Sequence, residues 1–179
     1  MKRFEIPPQV EVNGLIVQAV VEVMGAFRSV ALRILEKNGI TDPKADNWYP
    51  LHSWLSSFDT IVRDVGPNTL HQIGRHVANS GEIPPELLGS LHEVFGALDE
   101  SYYAQHRGGG DIGHYHYIGT GERSGTMVCT TPYPSEFDRG VITALAERFE
   151  PVSLVDVRLD QSTEARTAGG LSCTYLIKW

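Results

Sequence analysis

The chain has 179 residues, 41% of them hydrophobic and 21% charged. This is the make-up of an ordinary globular protein, long enough for one domain with a real core and short for two. Its 15 Lys and Arg stand against 22 Asp and Glu, a formal charge of -7, which disfavours nucleic-acid phosphates and anionic membranes as partners. Two cysteines, Cys129 and Cys173, make no disulfide framework. The N-terminal stretch lacks the apolar core of a secretory signal, and no apolar run approaches the ~18 residues of a membrane span. A reduced, cytoplasmic setting with no membrane span is expected.

Residues 12–37 read as one long amphipathic helix. Leu15, Ile16, Ala19, Val20, Val23, Met24, Phe27, Val30, Ala31, Ile34 and Leu35 recur at three- and four-residue spacing. Asn13 is placed to cap its start, and Asn38-Gly39 followed by Ile40 to end it in a left-handed turn. The stripe is broad for a lone helix, so pairing with a second copy, a homodimer, is expected. Residues 41–49 read as a linker. Leu51, Trp54, Leu55, Phe58, Ile61 and Val62 place a second helix over 50–65. Gly66-Pro67 ends it, and Asn68 caps a third that runs to Ala78. Pro85 opens a fourth helix to His106, with Leu87, Leu88, Leu91, Phe95, Leu98 and Tyr102 facing inward, and Gly108-Gly109-Gly110 stops it.

The pattern then changes. Residues 114–118 and 126–131 read as strands, 137–149 as a helix, and 152–159 and 171–179 as two further strands. The expected architecture is a single α+β domain over 1–179. Its N-terminal four-helix part, 12–107, packs on an antiparallel sheet part, 112–179, with the order ββαββ.

The chemistry-bearing residues are sparse. Gly108-Gly109-Gly110 and Gly169-Gly170 match no phosphate-binding pattern and read as turns. His114 and His116 fall on one strand face; with Cys129 and Cys173 they are candidate donors to zinc or iron. The plainer reading is a solvated strand face and two small buried thiols, and no metal is expected. His92, near Leu88 and Phe95, is the candidate axial haem ligand, against its reading as a partly exposed helix histidine. Asp138 suits the positive end of a helix, and Arg139 is placed to pair with Glu136 or Asp138. Trp54, Phe58, Phe95, Tyr102, Tyr103, Tyr133 and Phe137, with His106, are candidates to line an apolar pocket carrying a few polar groups. The plainer reading makes them core aromatics.

Several motifs occur in a telling order. They are Asn47-Trp48-Tyr49-Pro50 before a helix, Val65-Gly66-Pro67-Asn68-Thr69-Leu70-His71-Gln72-Ile73-Gly74, His106-Arg107-Gly108-Gly109, the segment from Pro132 to Gly140, and a glycine turn before Cys173-Thr174-Tyr175. In this order the chain resembles the superfamily that joins haem-NO/oxygen-binding domains, 4-vinyl reductase domains and the small TRAPP vesicle-tethering subunits, above all a bacterial branch of it. The resemblance implies a cytosolic, non-enzymatic sensory domain, often dimeric. It would hold a small, mostly apolar molecule between helices and sheet and signal to a separate protein. The alternatives are a ligand-free scaffold of the same fold and a metalloenzyme centred on His114 and His116. Two departures bear on cofactors. Zinc-containing 4-vinyl reductase domains would place cysteines near Ser135, near Ala165 and at Cys173, and only Cys173 is present. Haem-binding members hold the propionates with Tyr-x-Ser-x-Arg, which neither Ser101-Tyr102-Tyr103 nor Glu122-Arg123-Ser124 reproduces. No cofactor, neither haem nor zinc, is expected.

Overall fold

The computed structural model describes residues 5–81, 89–163 and 165–179. Strand β1 (Glu11–Asn13) leads into helix α1 (Gly14–Val23), where Asn13 Oδ1 accepts the Leu15 N–H at 2.9 Å, the expected cap. A short 3-10 turn, Gly25–Phe27, separates α1 from α2 (Arg28–Lys37), and the chain bends there by 103°. The single helix expected over 12–37 is therefore two. Gly25 takes φ +39°, a conformation that costs glycine little and other residues more. The break also accounts for the breadth of the apolar stripe. Helix α1 buries Ile16, Val17, Ala19, Val20 and Val21, and α2 buries Ala31, Ile34 and Leu35. Most of the surface that suggested pairing is covered within one chain, leaving Leu15 and Phe27 exposed. Helix α2 ends as its sequence requires: the Gly39 N–H returns to the Glu36 carbonyl and the Ile40 N–H to the Leu35 carbonyl.

Part of the expected linker is a strand. β2 (Trp48–Pro50) pairs antiparallel with β1, and β1 pairs with β3 (His106–Arg107), giving a three-stranded sheet in the order β2-β1-β3. Helices α3 (Leu51–Asp64) and α4 (Asn68–Ser80) follow. Asn68 is the first residue of α4 rather than its cap; Pro67 holds the cap position and has no side-chain group to donate or accept. The expected fourth helix is divided. Pro85 and the residues around it lie outside the described chain. α5 (Leu91–Gly96) starts at a Ser90 cap, and α6 (Leu98–Ala104) starts beyond Ala97. The helical part thus holds six helices among the described residues, where four were expected.

The second part contains β4 (Tyr115–Gly121), β5 (Ser124–Cys129), α7 (Ser135–Phe149), β6 (Asp156–Leu159) and β7 (Cys173–Lys178). Its strands form one antiparallel sheet in the order β4-β5-β7-β6. The strand expected from 152 begins only at Asp156. Val152 and Leu154 are 97% and 92% exposed, because Ser153 folds back to bond Glu150 through both its backbone and its hydroxyl. Tyr115, Met127, Cys129, Cys173, Tyr175 and Ile177 form the buried face of the sheet. Helices α4 and α7 cross almost backbone to backbone: a Cβ on Gly74 would lie 2.2 Å from the Phe137 carbonyl oxygen, and one on Gly140 2.2 Å from that of His71. This contact joins the helical part to α7, while α5 and α6 rest on β4. The class is α+β. Among the described residues no single helix is long and apolar enough to cross a membrane.

Candidate functional site

Helix α3, helix α6 and the turn into α7 converge on one aromatic layer. Trp54 and Phe58, one helical turn apart on α3, have ring centroids 4.5 Å apart. Phe58 meets Phe137 at 5.3 Å and Tyr133 at 6.0 Å, and Tyr133 stacks on Phe137 at 4.7 Å. Tyr102 from α6 adds contacts to Tyr133 at 6.0 Å, His106 at 4.6 Å, Tyr103 at 5.5 Å and Tyr115 at 5.3 Å. Such separations lie within the ~4.5–7 Å range in which aromatic pairs attract. Seven of the eight side chains expected to line a pocket are therefore one connected group. Phe95 stands apart, packed on Tyr117 at 5.2 Å and on Trp179 at 6.4 Å.

The polar atoms of the layer form a directed chain. The Tyr102 carbonyl can only accept, so His106 Nδ1 donates to it at 2.7 Å. His106 Nε2 is then the acceptor, and the Tyr133 hydroxyl donates to it at 2.9 Å. Burial lowers the His106 pKa, which favours this neutral imidazole. Burial also pushes the Tyr102 and Tyr133 phenols up, so both keep their protons. The Tyr102 hydroxyl donates to the Ile112 carbonyl at 2.8 Å. One group is left over: the fully buried Trp54 Nε1–H has no hydrogen-bond partner. It stands against the Tyr133 oxygen, close enough to draw that phenol's pKa down against its burial, though short of a well-aligned hydrogen bond.

Beside this layer lies a buried ion pair that the sequence reading missed. Asp138, in the first turn of α7, accepts the Tyr115 hydroxyl at 2.6 Å and the Thr131 hydroxyl at 3.2 Å, and pairs with Arg166. Arg166 also donates to the carbonyls of Cys129 and Thr131. Burial raises the Asp138 carboxyl pKa against the pull of Arg166, while Arg166, held by Asp138 against its own burial, stays charged. A signal was present: Asp138 shares a helical face with the buried Val141, Ile142 and Leu145. Arg139 pairs with Glu136, one of the two partners open to it.

The candidate metal donors are not brought together. In the sheet register Tyr115 opposes Cys129 and His116 opposes Val128, so His116 points to the outer face and the cysteines to the inner one. Cys129 and Cys173 oppose each other, fully buried. His114 precedes β4 and bonds Asp99 at 3.0 Å. Among the described residues no three His, Cys, Asp or Glu side chains are grouped to hold a metal ion.

No family model matches this chain, and no curated protein matches it in sequence. Its fold, however, is that of haem-NO/oxygen-binding (H-NOX) domains. A point mutant of the T. tengcongensis H-NOX superposes with a TM-score of 0.68 at 13% identity, over 93% of this chain and 96% of that one. A mutant of the K. algicida H-NOX, in its Fe(II) unliganded form, gives 0.64 at 16%, over 93% and 95%. An oxygen-binding H-NOX domain related to soluble guanylate cyclases, in its oxygen complex, gives 0.63 at 14%, over 93% and 94%. At these identities the likeness establishes the fold.

That finding corrects one expectation. A chain of this fold was expected to have no cofactor, and the fold points instead to haem. The side chains in place do not fit that group as they stand. Both His92 nitrogens are engaged, Nδ1 with the Tyr117 hydroxyl at 2.7 Å and Nε2 with the Glu122 carbonyl at 3.0 Å. Both His106 nitrogens are engaged as well. Stacked rings fill the layer between helices and sheet. Among the described residues, cavities of about 70 and 260 Å³ are lined by residues of α1, α2 and the segment around Pro43, and neither of these reaches the aromatic layer.

Proposed function

We propose that this chain is a cytosolic, non-catalytic sensory domain that holds a small, largely apolar molecule in its aromatic layer and signals to a separate protein. One observation carries the reading. Trp54, Phe58, Tyr102, Tyr103, His106, Tyr133 and Phe137, drawn from separate elements, meet in one layer of rings with a few polar groups among them. Mostly apolar walls with a few placed polar groups are the make-up of a small-molecule site. The structural neighbours, whose names describe haem-based and oxygen-binding domains, support a sensory role. Pairing of two copies belongs to the same reading, through the exposed Leu15 and Phe27.

The test is thermal unfolding against a panel of small aromatic and aliphatic compounds, with haem titrated alongside because the fold points to it. A compound that binds only the folded chain at about a hundred times its Kd adds about 2.7 kcal/mol and raises the midpoint. Phe58→Ala should lose or alter that response. A second reading, a ligand-free interaction protein of the same fold, is favoured by the close stacking of the same rings. It gains if no compound shifts the midpoint.

A further inference from the structure

The larger cavity beside α2, about 260 Å³, is a groove away from the aromatic layer and separate from the ligand site proposed there. One wall is a single stripe of α2. Arg28, Leu32 and Glu36 follow at four-residue spacing and so stand on one face of the helix. The other wall is the segment from Ile40 to Pro43. That segment is pinned. The Ile40 N–H returns to the Leu35 carbonyl at 2.9 Å, Gln18 Nε2 donates to the Pro43 carbonyl at 3.1 Å, and the Tyr49 hydroxyl accepts the Lys44 N–H at 2.7 Å. The groove is thus formed before any ligand arrives, which removes the ordering cost from binding.

The charges around it sort into used and unused. Asp42 pairs with Lys44 at 3.2 Å, and Glu22, on the adjoining smaller cavity, pairs with His76. Among the described residues the Arg28 guanidinium and the Glu36 carboxylate have no ion-pair partner. Their backbones lie about 12 Å apart along the helix axis, too far for the two groups to meet. Leu32, Ile40 and Pro43 make the stretch between them apolar. A molecule with one charge would serve one end of the groove and leave the other unused, and an apolar molecule would use neither.

We infer that this groove binds a small linear zwitterion, with its carboxylate on Arg28, its ammonium on Glu36 and a short methylene chain laid over Leu32, Ile40 and Pro43. Both charged side chains are exposed, so each contact alone is weak, and selectivity comes from a span that engages both.

The probe is ε-aminocaproate, whose amine and carboxylate cap a short methylene chain. Caproate, hexylamine and the shorter zwitterion β-alanine are the controls. Each is titrated into the isotope-labelled full chain and followed by backbone amide chemical shifts. Shifts from ε-aminocaproate should centre on α2 and residues 40–43, and it should bind about two- to fivefold more tightly than each control. Arg28→Gln should bring ε-aminocaproate down to the level of hexylamine, and Glu36→Gln should bring it down to that of caproate. Both positions are exposed, so both variants should fold. Caproate or hexylamine binding as well as the zwitterion, shifts centred elsewhere in the chain, or an affinity unchanged in either variant would overturn the assignment. So would the absence of any shift with ε-aminocaproate in large excess. None of these results bears on the aromatic layer, whose ligand reading stands or falls by its own unfolding test.

Discussion

Removing Asp138 should be among the most costly single changes in this chain, and more costly than removing its partner. Its carboxylate is fully buried and accepts hydrogen bonds from Tyr115 and Thr131 in addition to the Arg166 pair, while the Arg166 side chain is 18% exposed. Asp138→Ala strands a mostly buried guanidinium and the Tyr115 hydroxyl together. Breaking a buried pair in this way costs about 3–5 kcal/mol, against a total stability of about 5–15 kcal/mol for a typical domain. Arg166→Leu leaves the opposite charge, and the consequence differs. A guanidinium cannot lose its proton in a protein, whereas a carboxyl can gain one. Burial already raises the Asp138 pKa, and without Arg166 it rises further. A group whose folded pKa lies above its unfolded value adds stability at low pH and loses it as pH rises through the folded value. The Arg166→Leu deficit should therefore widen as pH rises from the ordinary carboxyl value of 3.8 through the raised folded value, while the Asp138→Ala deficit has no carboxyl at this position to drive such a change. Urea unfolding at several pH values, followed by tryptophan fluorescence, measures both. The reasoning is refuted if Asp138→Ala costs under about 1 kcal/mol, or if the Arg166→Leu deficit does not grow with pH.

Phe58→Ala, at a fully buried ring in the centre of the aromatic layer, should cost about 3–5 kcal/mol in chemical unfolding. Gly74→Ala places a Cβ 2.2 Å from the backbone oxygen of Phe137, an atom that cannot step aside. It should lower the thermal midpoint by the equivalent of about 1–3 kcal/mol, whereas Gly96→Ala, where a Cβ meets nothing within 4 Å, should be tolerated. Burial depresses the pKa of His106 and of His71 below 6.5. Their contribution is complete above pH 6.5 and is lost as pH falls through the lower folded values. Because Asp138 works in the opposite sense at lower pH, the effect is read as a difference: His106→Gln should show a shallower acid loss than the wild type in urea unfolding across that window.

The α+β class was legible because the two halves carry different hydrophobic periods. Helix ends were legible where a single residue decides them, as at Asn13 and Gly39. The break at Gly25 was not, because apolar positions continue in phase on either side and nothing local announces that the second helix turns away. The sheet of β1, β2 and β3 was invisible for another reason: strands of two or three residues are too short to show alternation. Residues 152–155 erred in the other direction, since alternation there reflects exposed side chains rather than a sheet face. The aromatic layer was largely legible, because large side chains on the inner faces of α3, α6 and α7 have one interior to share. Phe95 separated from them because the helix divides at Ala97, which directs α5 toward Tyr117 and Trp179. The Asp138–Arg166 pair joins a helix to a loop 28 residues away, a pairing that no local pattern encodes.

The distribution of polar contacts also determines how the interior can open. Tyr115 ties the sheet to α7 through Asp138, Tyr175 ties it there through the Ser135 carbonyl at 2.7 Å, and Arg166 adds a buried charge to the same end of the helix. Lifting α7 breaks all of these together, at several kcal/mol for the ion pair alone. The turn that carries Tyr133 is held to the helical part by the neutral bond to His106, a contact of the kind worth about 0.5–1.5 kcal/mol, and by the buried Tyr133 ring packed on Phe58 and Tyr102. Moving Tyr133 outward uncovers Phe58 and Phe137 while the Asp138 anchor can stay in place. Opening at the Tyr133 turn thus gives up aromatic packing and one neutral hydrogen bond but spares the buried ion pair.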